Sequence, residues 1–372
     1  MATKTSRNEL KVAIVHDWLT NIGGAERVVE SLLKAYPQAD LYSSVYEEAK
    51  LPQFKDRVTT SFLQHWPLSR RKHQLYPVLR TLAFEGFDLS SYDLVISSSS
   101  AEAKGVVTPT ETLHISYIHT PVRYYWSNYD QYLSDPGFGV LNPLVRLVAP
   151  YFVRRMRRWD YAAAQRPDVL IANSATVAKR IRKYYKREAE VIHPSVDLAR
   201  FQLGNASKGD YYLIVSRLVP YKRYDIAVEA CNKLGKRLVI AGSGSELANL
   251  KKLAGPTIEF RGSLPEEEIT RLYEGCKGFL FPAEEDFGIT PLEAMACGKP
   301  VLAYGKGGAT ETVVDGKTGL LFRDQTAESL ADAISRSEAM EWDTQAIARH
   351  AAMFGEERFI KQIHEAVSAQ QA

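Results

Sequence analysis

The chain has 372 residues with 47 Lys and Arg against 44 Asp and Glu, and a net charge of +3 is too small to direct it to nucleic acid. A hydrophobic share of 45% and a charged share of 24% are ordinary for a globular protein and leave core material for two domains. Three cysteines, Cys231, Cys276 and Cys297, sit in apolar or helical settings without a C-x-x-C; they argue against a disulfide framework or a zinc site and suit a reducing compartment.

In chain order, the first ten residues hold no apolar signal core, and no later stretch reaches the length of a membrane span. The expectation is a cytoplasmic chain, with peripheral contact at the inner face of the membrane left open. Short β-rich runs then alternate with helical patterns. The first half predicts strands over Val12–His16, Leu94–Ser98, His114–His119, Val169–Asn173 and Val191–His193. A polar stretch, Gln202–Asp210, contains Gly204, Asn205, Ser207 and Gly209 and reads as a linker. The rhythm restarts with strands over Tyr211–Ser216, Arg237–Ala241, Ile258–Arg261, Gly278–Phe281, Pro300–Tyr304 and Leu320–Phe322. Strands alternating with helices predict parallel sheets built of βαβ units, hence an α/β chain of two doubly wound Rossmann-like domains. The boundaries are 1–201 and 202–349. A last helical pattern, roughly Glu356–Val367, is open to packing on either domain, and segment 350–372 is assigned to the first. Two such domains facing a central cleft would present their ligand sites at the C-terminal ends of both sheets.

Charge divides unevenly along the chain. Residues 1–196 hold 26 Lys and Arg against 19 Asp and Glu, and the remainder holds 21 against 25. The basic half is a candidate for an anionic partner such as a phospholipid surface or a lipid diphosphate.

Four motifs follow predicted strands. Gly23-Gly24-Ala25-Glu26 opens a helix over Ala25–Leu33, where a glycine pair lets backbone N–H groups approach a phosphate. A plain βα turn explains it equally well. A dinucleotide fingerprint is disfavoured, since neither this motif nor Gly242-Ser243-Gly244 matches G-x-G-x-x-G. His119-Thr120-Pro121 ends a strand with a group able to donate to a sugar hydroxyl or phosphate; His16 and His193 also end strands, and only context separates the three. Arg217 and Lys222, five apart on the next loop, suit a diphosphate leaving group whose charge grows as the sugar–phosphate bond breaks.

The segment from Ala283 to Pro300 is the most informative. Glu285 and Glu293 lie eight apart, one on the loop after a buried strand and one in the first turn of a helix. Thr290 reads as the N-cap, Pro291 as the first helical residue, Glu293 as the capping-box acid and Gly298 as the terminator. The N–H groups of Gly288, Ile289 and Thr290 would face an anion or a sugar.

G-G-A-E, H-T-P, S-R-L-V-P-Y-K-R, E-x₇-E and G-G-A-T-E-T-V-V-D-G-K-T-G-L-L-F, in this order, resemble glycosyltransferase family four, whose members are retaining enzymes of the GT-B fold. The details H-T-P-V-R-Y-Y-W, S-R-L-V-P-Y-K-R and F-P-A-E-E-D-F-G-I resemble its bacterial O-antigen mannosyltransferase branch. The resemblance implies an acceptor-binding first domain and a nucleotide-sugar-binding second one. It implies that Arg217 and Lys222 hold the donor diphosphate, Glu285 the hexose hydroxyls and Glu293 the ribose. Phe287 lies in the same donor segment, and the Gly288–Thr290 backbone would cradle sugar and phosphate, with Gly23 and Gly24 closing from the other domain. His119 would contact the sugar and steady an oxocarbenium-like transition state, and Gly262 to Leu264 would lie beside the base. Asp286 departs from the glycine many relatives carry and leaves the E-x₇-E spacing intact.

The implied reaction moves a hexose with retention, most simply mannose from GDP-mannose, onto a lipid-linked or polysaccharide-precursor acceptor. The leaving phosphate itself takes the acceptor's proton. No D-x-D or ligand cluster is present in the sequence, so no metal and no cofactor beyond the nucleotide-sugar co-substrate is expected. A UDP-hexose donor stays open because no residue discriminates guanine from uracil, as does a non-catalytic nucleotide-sugar-binding protein. Two basic aromatic stretches, Leu144–Trp159 with Arg154, Arg155, Arg157 and Arg158, and Trp66–Phe84 with Arg70, Arg71, Lys72 and Arg80, suit an anionic membrane surface or a solvated basic face.

Overall fold

A computed structural model describes residues 10–72, 76–127, 129, 133, 142–204 and 209–371. The N-terminal segment and Asn205 and Ser207 of the proposed linker lie outside the described residues. The chain divides into two units, Met1–Ile192 with Ile360–Ala372, and His193–Phe359.

Among the described residues the first unit holds seven parallel strands: β1 Val12–His16, β2 Asp40–Ser43, β3 Val58–Thr60, β4 Leu94–Ser99, β5 Leu113–Ile118, β6 Val169–Ala172 and β7 Glu190–Val191. Their order is β3-β2-β1-β4-β5-β6-β7. Every residue of β1 and of β4 is buried, as expected for central strands covered on both faces. The sequence misses β2 and β3. D-L-Y-S is half polar with Asp40 exposed, and V-T-T is a three-residue edge strand that never becomes fully buried. Neither has the run of apolar residues on which the other strands were recognised.

The second unit holds six parallel strands: β8 Tyr211–Val215, β9 Arg237–Ala241, β10 Ile258–Gly262, β11 Gly278–Phe281, β12 Val301–Tyr304 and β13 Gly319–Phe322. Their order is β10-β9-β8-β11-β12-β13. Each sheet reverses winding direction beside its first strand, between β1 and β4 and between β8 and β11. Loops leaving the two strands at such a point diverge and open a crevice at the C-terminal edge. In the second unit those loops are Ser216–Lys222 and Pro282–Gly288, so chain topology alone puts Lys222 and Glu285 in one place.

The C-terminal helix runs Glu356–Ser368, and from Ile360 onward it belongs to the first unit. There His364 Nε2 lies 3.0 Å from the Ala35 carbonyl oxygen, with its ring edge-on to Tyr36.

One buried group makes the first unit acid-sensitive. His114 on β5 is fully buried with Nε2 2.8 Å from Ser97 Oγ, and burial lowers its pKa to about 3, helped by Arg166 and Arg187. The unfolded chain takes up a proton near pH 6.5 that the folded chain refuses until about 3. Stability therefore falls as pH drops through that window, by about 1.4 kcal/mol per pH unit from this residue. Urea titrations at pH 7 and pH 5 on the wild type and His114→Leu measure it, and the variant is expected to lose less stability between the two.

Candidate functional site

The second unit builds its crevice from tightly opposed backbone. The loop after β8 lies against the loop after β9, with Leu218 N–H donating to the Ser243 carbonyl at 2.8 Å. A Cβ on Gly242 would fall 1.8 Å from the Ser216 carbonyl oxygen, and one on Gly244 would fall 2.1 Å from that of Leu218. These glycines serve close packing of two loops, not a dinucleotide turn. Gly262 ends β10 at φ +67° with open space around it, and Leu264 is half-buried two residues on.

Lys222 closes a 3₁₀ turn over Pro220–Lys222. Its Nζ lies 2.7 Å from Glu285 Oε1 and donates to Ser216 Oγ at 2.6 Å. Burial opposes its charge, but the Glu285 carboxylate prevails and raises the Lys222 pKa above the ordinary lysine value. Arg217 is exposed. The structure thus pairs two residues for which the family resemblance implies separate duties, diphosphate and hexose.

The Glu285 loop is held from behind by Gly307-Gly308. Gly308 N–H donates to the Glu285 carbonyl at 2.9 Å, and a Cβ on Gly307 would lie 2.3 Å from that oxygen. A Cβ on Gly308 would lie 2.2 Å from Phe287 Cα. Phe287 is buried and stacks on His193 with ring centroids 5.3 Å apart, and His193 Nε2 is 3.1 Å from Glu311 Oε2. The sequence offered His193 only as a strand end; its position against the Glu285 loop depends on partners about ninety and more residues away, Phe287 and Glu311.

The capping expectation needs correction. The helix runs Ile289–Ala296 with Gly288 as N-cap at φ +86°, so Thr290 is already inside the first turn. Glu293 is not a capping-box acid, because a start at Ile289 puts that position at Pro291; its Oε2 accepts the Tyr273 hydroxyl at 2.7 Å. Gly288 can take a left-handed conformation that Thr290 would resist, and so it starts the helix earlier. The unsatisfied N–H groups of this first turn still belong to the segment Gly288–Thr290. Termination is as expected: Gly298, at φ +72°, donates to the Met295 carbonyl and Lys299 to that of Ala294.

In the first unit the helix Gly24–Ala35 starts at Gly24, with Gly23 as an extended N-cap. Glu26 stands where a capping-box acid would, yet its Oε1 lies 3.7 Å from His16 Nε2. His16 ends β1, and its Nδ1 is 3.1 Å from both the carbonyl oxygen and Oγ of Ser98 on β4. His119, directly after β5, has Nε2 2.8 Å from Ser98 Oγ. Burial, followed by the neighbouring His16, lowers the His119 pKa to about 3, so its ring is neutral. For His16 burial works against charge, but the bond to Glu26 and the charges of Glu26 and Asp17 raise its pKa above the ordinary value. Asp17, which the sequence did not single out, accepts the backbone N–H groups of Ser100, Ala101 and Ala103 at 2.5, 2.9 and 2.7 Å and clamps the loop after β4.

Two of the basic stretches' cations are not surface groups. Arg80 is 1% exposed, pairs with Glu102 at 2.9 Å and lies over the Trp18 ring. Arg157 donates from Nε to the Tyr125 carbonyl and packs over Trp126 and Tyr129. Arg154, Arg155 and Arg158 are exposed on the same helix, Asn142–Ala163, beside exposed Leu147, Val148 and Tyr151. The side chains of Arg71 and Lys72 lie outside the described residues. No helix among the described residues is long and apolar enough to cross a membrane.

Residues 22–200 match the Glycosyltransferase Family 4 domain and residues 195–353 match Glycosyl transferases group 1. Curated relatives named D-inositol 3-phosphate glycosyltransferase include one from a Nocardioides species, 31% identical over 45% of this chain and 45% of the relative. Another, from Mycobacteroides abscessus, is 29% identical over 68% of this chain and 65% of the relative. In the Nocardioides alignment, as in most of these matches, the chain spans about half the relative's length. Among solved structures, Anabaena HepE in complex with UDP superposes with a TM-score of 0.69 over 97% of this chain and all of that one, at 21% identity, which shows a shared fold. With a Glycosyltransferase Family 4 domain followed by a glycosyl transferases group 1 domain on two parallel Rossmann-like sheets, the chain belongs to the GT4-type glycosyltransferases of the GT-B fold.

Proposed function

We propose that this chain is a retaining, metal-independent hexosyltransferase that takes mannose from GDP-mannose and extends a lipid-linked or polysaccharide-precursor acceptor, as in the O-antigen mannosyltransferase branch. The observation that carries the reading is the Lys222–Glu285 pair at the crossover of the second sheet. A cation fixed there by a carboxylate and the Ser216 hydroxyl, with exposed Arg217 on the same loop, suits a diphosphate whose charge grows as the glycosidic bond breaks. Glu285 keeps a second oxygen for a hexose hydroxyl, and Glu293, oriented by Tyr273, is suited to ribose. The departing phosphate takes the acceptor's proton, and the two cations neutralise negative charge on it that a metal would otherwise offset.

A second reading, a UDP-hexose donor, is favoured by the Anabaena HepE structures, which contain UDP and UDP-glucose. Thermal shifts with GDP, UDP, ADP and their sugar conjugates separate the readings, because a ligand that binds the native state stabilises it. Stabilisation by GDP and GDP-mannose alone is expected. Stabilisation by UDP species keeps the reaction and discards mannose, and no shift with any nucleotide favours a non-catalytic role.

The acceptor reading rests on Arg154, Arg155 and Arg158 beside Leu147, Val148 and Tyr151, a basic and apolar helix face suited to anionic lipid. Each cation contributes about 1 kcal/mol at such a surface. Reversing all three to Glu is expected to weaken sedimentation with phosphatidylserine vesicles about 100-fold or more, and unchanged sedimentation removes the membrane role. Arg157 is left out of the test because its change would disturb the Trp126 packing.

A further inference from the structure

The family resemblance gives His119 a donor sugar to contact and leaves its buried neighbours without a duty. His16, Ser98 and His119 come from the ends of the adjacent strands β1, β4 and β5, and all three are buried. Their hydrogen bonds have a direction that can be worked out. A carbonyl oxygen only accepts, so the contact between His16 Nδ1 and the Ser98 carbonyl requires a proton on Nδ1. The opposite arrangement would face a bare ring nitrogen against that oxygen at 3.1 Å, two lone pairs in a buried site. The same Nδ1–H also faces Ser98 Oγ, which therefore accepts from His16. The hydroxyl proton is then left for its other neighbour, His119 Nε2, at 2.8 Å. A ring nitrogen that accepts carries no proton, and a neutral imidazole carries one, so the proton of His119 sits on Nδ1. At the far end, the Glu26 carboxylate faces His16 Nε2 and favours the form of His16 protonated on both nitrogens.

We propose that His16 and Ser98, with the Glu26 carboxylate as counter-charge behind them, form a one-directional hydrogen-bond relay that fixes His119 as its Nδ1–H tautomer, leaving that N–H as a neutral donor for an oxygen of the bound sugar or its phosphate. The three are positioning residues, and the inference rests on the reading that places His119 at the donor sugar. It specifies the chemistry expected of His119, which donates its hydrogen bond from Nδ1 as a neutral ring. It also gives the glutamate of the G-G-A-E motif a reason to send one carboxylate oxygen toward a histidine on the preceding strand while the other stays beside Gly23.

The test is imidazole ¹⁵N NMR of histidine-labelled protein at pH 7, with His119 identified by the signals lost in His119→Asn. The wild type is expected to show a protonated Nδ1 and a bare, hydrogen-bond-accepting Nε2. Ser98→Ala and His16→Leu are expected to move His119 to a tautomer mixture and to lower kcat for GDP release from GDP-mannose about tenfold or more, with KM nearly unchanged. His16→Asn, whose side-chain amide replaces the Nδ1–H donor, is expected to lose less than His16→Leu in both readouts. A wild-type His119 protonated on Nε2, or a tautomer indifferent to Ser98→Ala, overturns the relay whatever the kinetics. Tautomers that shift as expected while turnover stays constant support the relay and overturn the placement of His119 at the sugar.

Discussion

Glu285→Ala is expected to abolish sugar transfer while leaving the fold in place. Two losses combine in this variant. On the proposed reading the hexose loses a carboxylate partner, and Lys222 loses the counterion that holds its ammonium at one position, 2.7 Å away. Removing one preorganised electrostatic contact of this kind costs about 100- to 1,000-fold in turnover. The stability cost is small by comparison, because the Lys222 and Glu285 side chains keep 14% and 18% of their exposure and water reaches the orphaned charge. Donor turnover, circular dichroism and the urea midpoint, measured on one preparation, separate the two effects. Unchanged turnover would remove Glu285 from the site.

Arg80→Met is expected to do the reverse, costing stability before chemistry. The Arg80–Glu102 pair is 1% and 0% exposed, with a second bond from Arg80 to the Tyr124 hydroxyl at 2.9 Å. Removing the cation strands Glu102 in a dry site, a loss of about 3–5 kcal/mol. Burial already pushes the Glu102 pKa up, and Arg80 is the main force opposing it. Without Arg80 the acid is therefore expected to take up a proton, so the penalty shrinks at lower pH. The double variant Arg80→Met/Glu102→Leu is expected to recover most of the loss, since two apolar groups replace a buried pair without an orphan. Urea unfolding of the three proteins gives the cycle, and a single variant as stable as the wild type would contradict the account.

The contrast between these two pairs explains what the sequence discloses and what it hides. Strands such as Val12–His16 and Gly278–Phe281 were legible because central parallel strands need continuous apolar runs. Lys222 and Glu285 were legible as candidates because both follow such strands, although their mutual bond was not. Arg80 was misread because a basic residue among aromatics looks alike on a surface and in a core; only Glu102, twenty-two residues on, decides between them. Thr290 looked like a better cap than Gly288 until the left-handed backbone of Gly288 claimed the position. Glu293, expected at a capping position, lies inside the helix and accepts from Tyr273, and Glu26, at a true one, also faces His16. Local pattern predicts the element, and distant partners assign the side chain.

The central claim is transfer with retention from a nucleotide sugar without a metal, and proton NMR of GDP-mannose turned over in EDTA tests it most directly. The α-anomer of mannose, free or on an added acceptor, is expected to appear first together with GDP, at a rate unaltered by magnesium or manganese. A β-anomer appearing first, or turnover that stops in EDTA and returns with the metal, would contradict it.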